Sequence, residues 1–160
     1  MRDEPRPEDR DAVRAVVAST GFFHDFEIDV AVELVDERLR RGEASGYHFV
    51  FADAPSGRLL GYACYGPIAC TEGSYDLFWI AVDESERGRG LGRRLLEEAA
   101  ERIRARGGRG IYIETSGRAQ YAPTRAFYER CGCMLDATLP DFYAPGDPKL
   151  VFRLPIRPRP

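Results

Sequence analysis

Lysine is almost missing from this chain of 160 residues: Lys149 stands alone, and the other 22 of its 23 basic residues are arginines. A GC-rich coding bias accounts for that scarcity. An excess of one charge sign is also absent. The net charge is −3, so no global field gathers nucleic acid or an anionic membrane. No apolar run approaches the roughly 20 residues of a membrane-spanning helix, and the opening MRDEPRPEDRD is too charged for a secretory leader. The expectation is a cytoplasmic protein without a membrane or nucleic-acid partner. The four cysteines, Cys64, Cys70, Cys131 and Cys133, have neither CxxC pairing nor the density of a disulfide scaffold, and read as reduced thiols. With only His24 and His48 and no HExxH, no metal is expected.

What is present is a globular composition, 44% hydrophobic and 31% charged, at a length that suits one domain over residues 1–160. Residues 1–7 and 156–160 read as extended or frayed. A helix starts near Glu8 or Asp9 with Ala12, Val13, Val16 and Val17 as its stripe. After Ser19, Thr20 and Gly21, a second helix carries Ile28, Ala31, Val32, Leu34, Val35 and Leu39 up to Gly42. The period then changes to that of strands at 47–53 and 59–65, joined by a turn at 54–57, followed by an aromatic strand at 75–82 expected to be buried on both faces. A helix from Leu91 to about Ala105 presents Leu95, Leu96, Ala99, Ala100 and Ile103 on one side and stops at Gly107 and Gly108. A strand at 111–113 should run parallel to the aromatic one, because a helical crossover joins them. Pro123 opens a helix that Gly132 ends, and strands at 133–139 and 150–154 close the chain around the turn-rich DFYAPGDP. This is an α/β pattern with a mixed sheet.

The arginines are unevenly placed: Arg87, Arg89, Arg93, Arg94, Arg102, Arg104, Arg106 and Arg109 share one stretch. Part of that stretch is Arg87-Gly88-Arg89-Gly90-Leu91-Gly92, set between a strand and a helix. Glycines there let a ligand approach the backbone, and the first-turn amides and helix dipole favour a phosphate. A pyrophosphate fits such a loop, with Arg87, Arg89 and Arg93 adding charge-assisted contacts. The spacing is neither that of the GxxxxGK[ST] loop nor that of the opening GxGxxG of a dinucleotide fold.

The run Ile80-Ala81-Val82 followed by Arg87-x-x-Gly90-x-Gly92 resembles the acyl-CoA-binding signature of the GNAT superfamily of N-acyltransferases. The order of elements is similar along nearly the whole chain, and Phe127-Tyr128-Glu129-Arg130-Cys131-Gly132-Cys133 looks like the family's helix that ends in Tyr before a Gly. Two positions depart from the family: Tyr121 stands where an Asn is usual, and Cys133 where an aromatic is usual. The resemblance implies a central mixed sheet of about six to seven strands flanked by about four helices. It implies acetyl-CoA as acyl donor, with the backbone of Ile80, Ala81 and Val82 against the pantetheine arm. Amides from about Gly88 through Arg89, Gly90, Leu91 and Gly92 to Arg93 would hold the pyrophosphate. Tyr128 would protonate the departing thiolate, and Asp76 would be the general base, with Glu114 its competitor. Phe22, Phe23, His24, Asp141 and Tyr143 would line the acceptor end, where acids and aromatics suit a cationic amine.

The function implied is an N-acetyltransferase acting on a small-molecule or peptide amine by direct attack in a ternary complex. Two alternatives stay open: a CoA-binding sensor without chemistry, and a transferase of this fold that works with aminoacyl-tRNA. The oligomeric state is open too, with a homodimer among the expectations.

Overall fold

A computed structural model describes residues 1–157. In chain order these hold α1 (Asp9–Ser19), α2 (Asp25–Arg41), β1 (His48–Asp53), β2 (Leu59–Pro67), β3 (Ser74–Val82), α3 (Leu91–Ala105), β4 (Gly110–Ser116), α4 (Ala122–Arg130), β5 (Met134–Ala144) and β6 (Asp147–Pro155). The strands form one six-stranded mixed sheet in the order β1-β2-β3-β4-β6-β5. β3 and β4 pair in parallel as the crossover through α3 demands, while β1 with β2, β4 with β6 and β5 with β6 are antiparallel. The α/β class and the expected element counts agree with this architecture. Packing of the backbone divides the chain into one unit of residues 1–66 with 78–102 and a second of residues 67–77 with 103–157.

In the first unit the helical stripes are those read from the sequence. Val13, Val16 and Val17 of α1 and Ile28, Ala31, Val32 and Val35 of α2 are buried in one core with Phe49 and Phe51 of β1, Tyr62 of β2 and Ala81 of β3. α3 closes against β2 at Gly61, where an added Cβ would lie 2.8 Å from the Ala81 carbonyl and 3.2 Å from Leu95 Cδ1. The N-terminal arm is tied down. Arg2 and Phe51 exchange backbone hydrogen bonds of 3.0 and 2.8 Å, and the Arg2 guanidinium bonds Asp53 at 2.7 Å and the buried Asp9 at 2.6 Å. Arg38 is also buried, bonding Glu4 at 2.7 Å and Glu43 at 3.1 Å.

In the second unit β4 alternates along its middle. Ile111, Ile113 and Thr115 are buried, whereas Tyr112 is half-buried and Glu114 exposed. Phe152 of β6 and Tyr128 of α4 pack together on the buried side, with ring centroids 5.9 Å apart. The C-terminal segment expected to fray is held at Ile156, which is buried and whose amide donates to the Arg109 carbonyl at 2.8 Å. The rest of that expectation, residues 158–160, lies outside the described residues.

Two local expectations need correction. β3 is not covered on both faces: Tyr75, Leu77 and Ala81 are buried, but Asp76, Ile80 and Val82 are half-buried and Phe78 is exposed. One face of the strand therefore stays open. The segment DFYAPGDP is no loop between short strands either. β5 and β6 run on to a tight turn at Pro145 and Gly146, and their ladder slips between Leu139 and Ala144, so that Pro140, Asp141, Phe142 and Tyr143 bulge from it. All eleven residues of β5 are exposed, including Met134, Leu135, Leu139, Phe142 and Tyr143. No helix among the described residues is long and apolar enough to cross a membrane.

Candidate functional site

The first unit holds the glycine loop. β3 delivers Ile80, Ala81 and Val82, which lie beyond the stretch of that strand paired with β4, since the ladder runs only from Ser74↔Gly110 to Asp76↔Tyr112. The exit from the strand is fixed by Asp83, whose amide donates to the Leu60 carbonyl at 2.9 Å and whose carboxylate accepts from the Ser85 amide at 3.1 Å. A short 3-10 turn follows, and the chain then passes through left-handed backbone at Gly88 (φ +74°) and Gly90 (φ +78°). Glycine is needed there for the dihedral and not for want of room, because an added Cβ at either position meets nothing within 4 Å. The Arg94 amide bonds Gly90 O at 3.2 Å; the amides ahead of it, in the first turn of α3, have no carbonyl four residues back within the helix. Open space thus lies beside both glycines, next to the first turn of α3.

Its arginines are engaged locally. Arg87 pairs with Glu84 at 2.7 Å and lies over the Phe22 ring at 5.0 Å, Arg89 pairs with Glu86 at 3.2 Å, and Arg93 pairs with Glu97 at 2.7 Å. Over residues 83–97 four acids offset four arginines. Each of these three loop arginines is thus balanced by a glutamate of its own stretch.

Phe23 packs on Trp79 with centroids 5.1 Å apart, at the edge of the core. His24 is the N-cap of α2, where its amide donates to the Glu27 carboxylate at 2.9 Å, and its ring stacks on Phe26. A surface depression of about 800 Å³ lies in the same unit, where Arg10 pairs with Asp36 and Arg40 with Glu37; none of the expected site residues lines it.

The second unit gathers the carboxylates. Register places Asp76 beside Tyr112, and Glu114 is two residues further along β4 on the same face. On β6, Val151 pairs with Glu114 and Lys149 with Ser116, so that face carries Lys149 as well. The two candidate bases are therefore neighbours, but their surroundings differ. Lys149 bonds Glu114 at 2.9 Å and lies 4.0 Å from the centroid of Phe142, on the β5 bulge. Among the described residues no cation stands within ion-pair distance of Asp76. Burial, then the Glu114 charge, raise the Asp76 carboxyl above its ordinary range, and Lys149 opposes them.

Tyr143 is also pushed up, by burial and by Glu114, Asp147 and Tyr121. Asp141 sits in left-handed backbone (φ +52°) and accepts from the Gly146 amide at 2.7 Å, which closes the hairpin. Asp147 is buried and accepts a hydrogen bond from Ser116 at 2.5 Å, with Arg118 at 3.0 Å on its other oxygen. Tyr128 is buried between Phe127 and Phe152, and burial, Cys133 and Cys131 raise its phenol well above the usual tyrosine range. The hydroxyl stays protonated at any working pH. The Cys133 thiol is pushed up to about 12 by burial and by Cys131. Among the described residues none of the four cysteines forms a disulfide.

Sequence reasoning missed Lys149 and Phe142 as parts of this face. The signal for Lys149 was available, since it is the only lysine of the chain.

A family model described as acetyltransferase (GNAT) family matches residues 15–133, more than half of the chain. The L-methionine sulfoximine/L-methionine sulfone acetyltransferases of Pseudomonas paraeruginosa (strain PA7) and Pseudomonas aeruginosa (strain PAO1) are each 34% identical to it over 98 residues, 58% of this chain and 54% of theirs. The chain spans about half the length of these curated relatives. Among solved structures, an acetyltransferase assigned to the GNAT family from Desulfovibrio desulfuricans superposes with a TM-score of 0.95 at 52% identity over 98% of each chain. An aminoglycoside 6'-N-acetyltransferase complexed with coenzyme A gives 0.76 at 20% identity over 100% of this chain and 99% of that one, a likeness of fold.

Proposed function

The chain belongs to the acetyltransferase (GNAT) family, and from that premise we propose that it moves an acetyl group from acetyl-CoA to a primary amine. The observation that carries this reading is the loop after β3. Two left-handed glycines with open space beside them lead into the first turn of α3, whose amides lack helical acceptors, a combination that suits a pyrophosphate. The amides from Gly88 to Arg93 hold that group, and Arg87, Arg89 and Arg93 can exchange their glutamate partners for its oxygens. The backbone of Ile80, Ala81 and Val82, outside the β3–β4 ladder, receives the pantetheine arm.

Acetyl-CoA, when bound, supplies the acetyl group as a thioester. An acceptor amine arrives as its ammonium, and Asp76 takes the first proton, which frees the nitrogen lone pair for the carbonyl carbon. Its raised proton affinity makes it a better proton acceptor than an ordinary surface aspartate. The C–N bond forms as the C–S bond breaks, the nitrogen sheds its second proton to solvent, and the Tyr128 hydroxyl protonates the sulfur and regains its proton from solvent. Glu114 is the competing base. No covalent intermediate on the chain is required.

The relatives that act on L-methionine sulfoximine and sulfone put α-amino acids and their analogues first among acceptors. Phe22, Phe23, His24, Asp141 and Tyr143 are offered as acceptor contacts, Asp141 for an ammonium. A homodimer draws support from β5, an edge strand exposed along its whole length with five large apolar side chains, which a second copy could cover. The test of the function is free-thiol release from acetyl-CoA across a panel of amino acids, polyamines, aminoglycosides and peptides. Amine-dependent release is expected for at least one class. Binding of CoA with no release for any amine favours a sensor instead.

A further inference from the structure

Two carboxylates on one sheet face compete for the same proton, and the structure treats them unequally. Glu114 is bonded at 2.9 Å by Lys149, whose ammonium is also capped by Phe142, 4.0 Å from the ring centroid. The Lys149 side chain is only 12% exposed, against 50% for Glu114. This is not a solvated surface pair: the ammonium is enclosed and the carboxylate is the one facing water. Lysine here is also an exception in a chain that uses arginine at every other basic position. A compact ammonium satisfies one carboxylate at a point, whereas the planar guanidinium fork can reach two acceptors at once.

We propose that Lys149 is a positioning residue that commits Glu114 to an ion pair and so leaves Asp76, the carboxyl without a cation at ion-pair distance, to take the acceptor's proton. This rests on the transferase reading above. The charged groups acting on the Asp76 carboxyl are Glu114 of β4 and Lys149 of β6; Tyr112 of β4 is its register partner, and Tyr143 of β5 interacts with Glu114, with Asp147 of β6 and with Tyr121 before α4. The two neighbours of Asp76 push in opposite directions, which makes the proposal testable by sign.

The experiment compares the wild type with Lys149→Met, Lys149→Arg, Glu114→Gln and Asp76→Asn. Its two readouts are the acid limb of the kcat/KM–pH profile with the best amine of the panel and the carboxyl titration of Asp76 followed by NMR in the ligand-free protein. Removing the ammonium in Lys149→Met takes away the group that favours the Asp76 anion, so limb and titration both move up, by about half to one pH unit. Lys149→Arg keeps the positive charge and so holds both readouts below those of Lys149→Met. Glu114→Gln removes a repelling charge and moves both readouts down, with a smaller loss of turnover than Asp76→Asn, whose loss is about 10²–10⁴-fold.

An Asp76 titration that does not move in Lys149→Met overturns the proposal even where the wild type turns amines over. A loss in Glu114→Gln as large as that in Asp76→Asn overturns it as well. Should Lys149→Met not fold, the downward shift in Glu114→Gln still decides: an upward or absent shift refutes. A wild type that releases no thiol with any amine overturns the transferase reading and the proposal with it, whereas a failed titration overturns the proposal alone.

Discussion

The glycine loop of the first unit and the carboxylate face of the second are built in opposite ways. The loop is a contiguous stretch whose backbone amides hold the anion in the proposed reading, and its arginines are paired with glutamates three or four residues away. The carboxylate face is assembled from three strands far apart in the chain, and its working groups are side chains whose properties come from one another. The comparison teaches where specificity of each kind resides. A backbone cradle is indifferent to most side-chain changes and sensitive to dihedral angle, while a side-chain cluster is sensitive to each neighbour's charge.

That contrast can be broken by variants aimed at one region and read out in both. The largest effect is expected for Asp76→Asn, which lowers kcat by about 10²–10⁴-fold while leaving CoA affinity in calorimetry unchanged. Next, Gly90→Glu forces a side chain into left-handed backbone and sets a negative charge over the cradle. CoA affinity should fall by about tenfold or more, while the Asp76 titration stays where it was. Smallest is Arg87→Ala, whose guanidinium is exposed and already paired with Glu84; a loss of CoA affinity of about two- to fivefold is expected. If Arg87→Ala instead weakens binding more than Gly90→Glu, side chains and not amides hold the anion, and the contrast fails.

The same contrast explains what was legible in the sequence. Helical stripes such as Leu95, Leu96, Ala99, Ala100 and Ile103 follow from the 3.6-residue period alone, and all five are buried. The loop was legible because glycine spacing at a strand-to-helix junction is a local signal. Asp76 and Glu114 were nameable only as rivals, since nothing local says that β6 brings Lys149 to one of them. The open face of β3 was hidden for a related reason: an apolar and aromatic run reads as doubly buried unless it is known which face the rest of the fold covers. His24 shows a further limit, because a histidine before a helix looks like a pocket residue until the helix start is placed and it becomes the cap.

The central claim is acetyl transfer to nitrogen, and the most direct test gives the wild-type chain acetyl-CoA carrying an isotope label in the acetyl group, with the best amine of the panel. Thiol release and labelled amide are followed together. One labelled amide on the acceptor nitrogen for each thiol released is the result predicted; thiol release without labelled amide, or none with any amine, would contradict it.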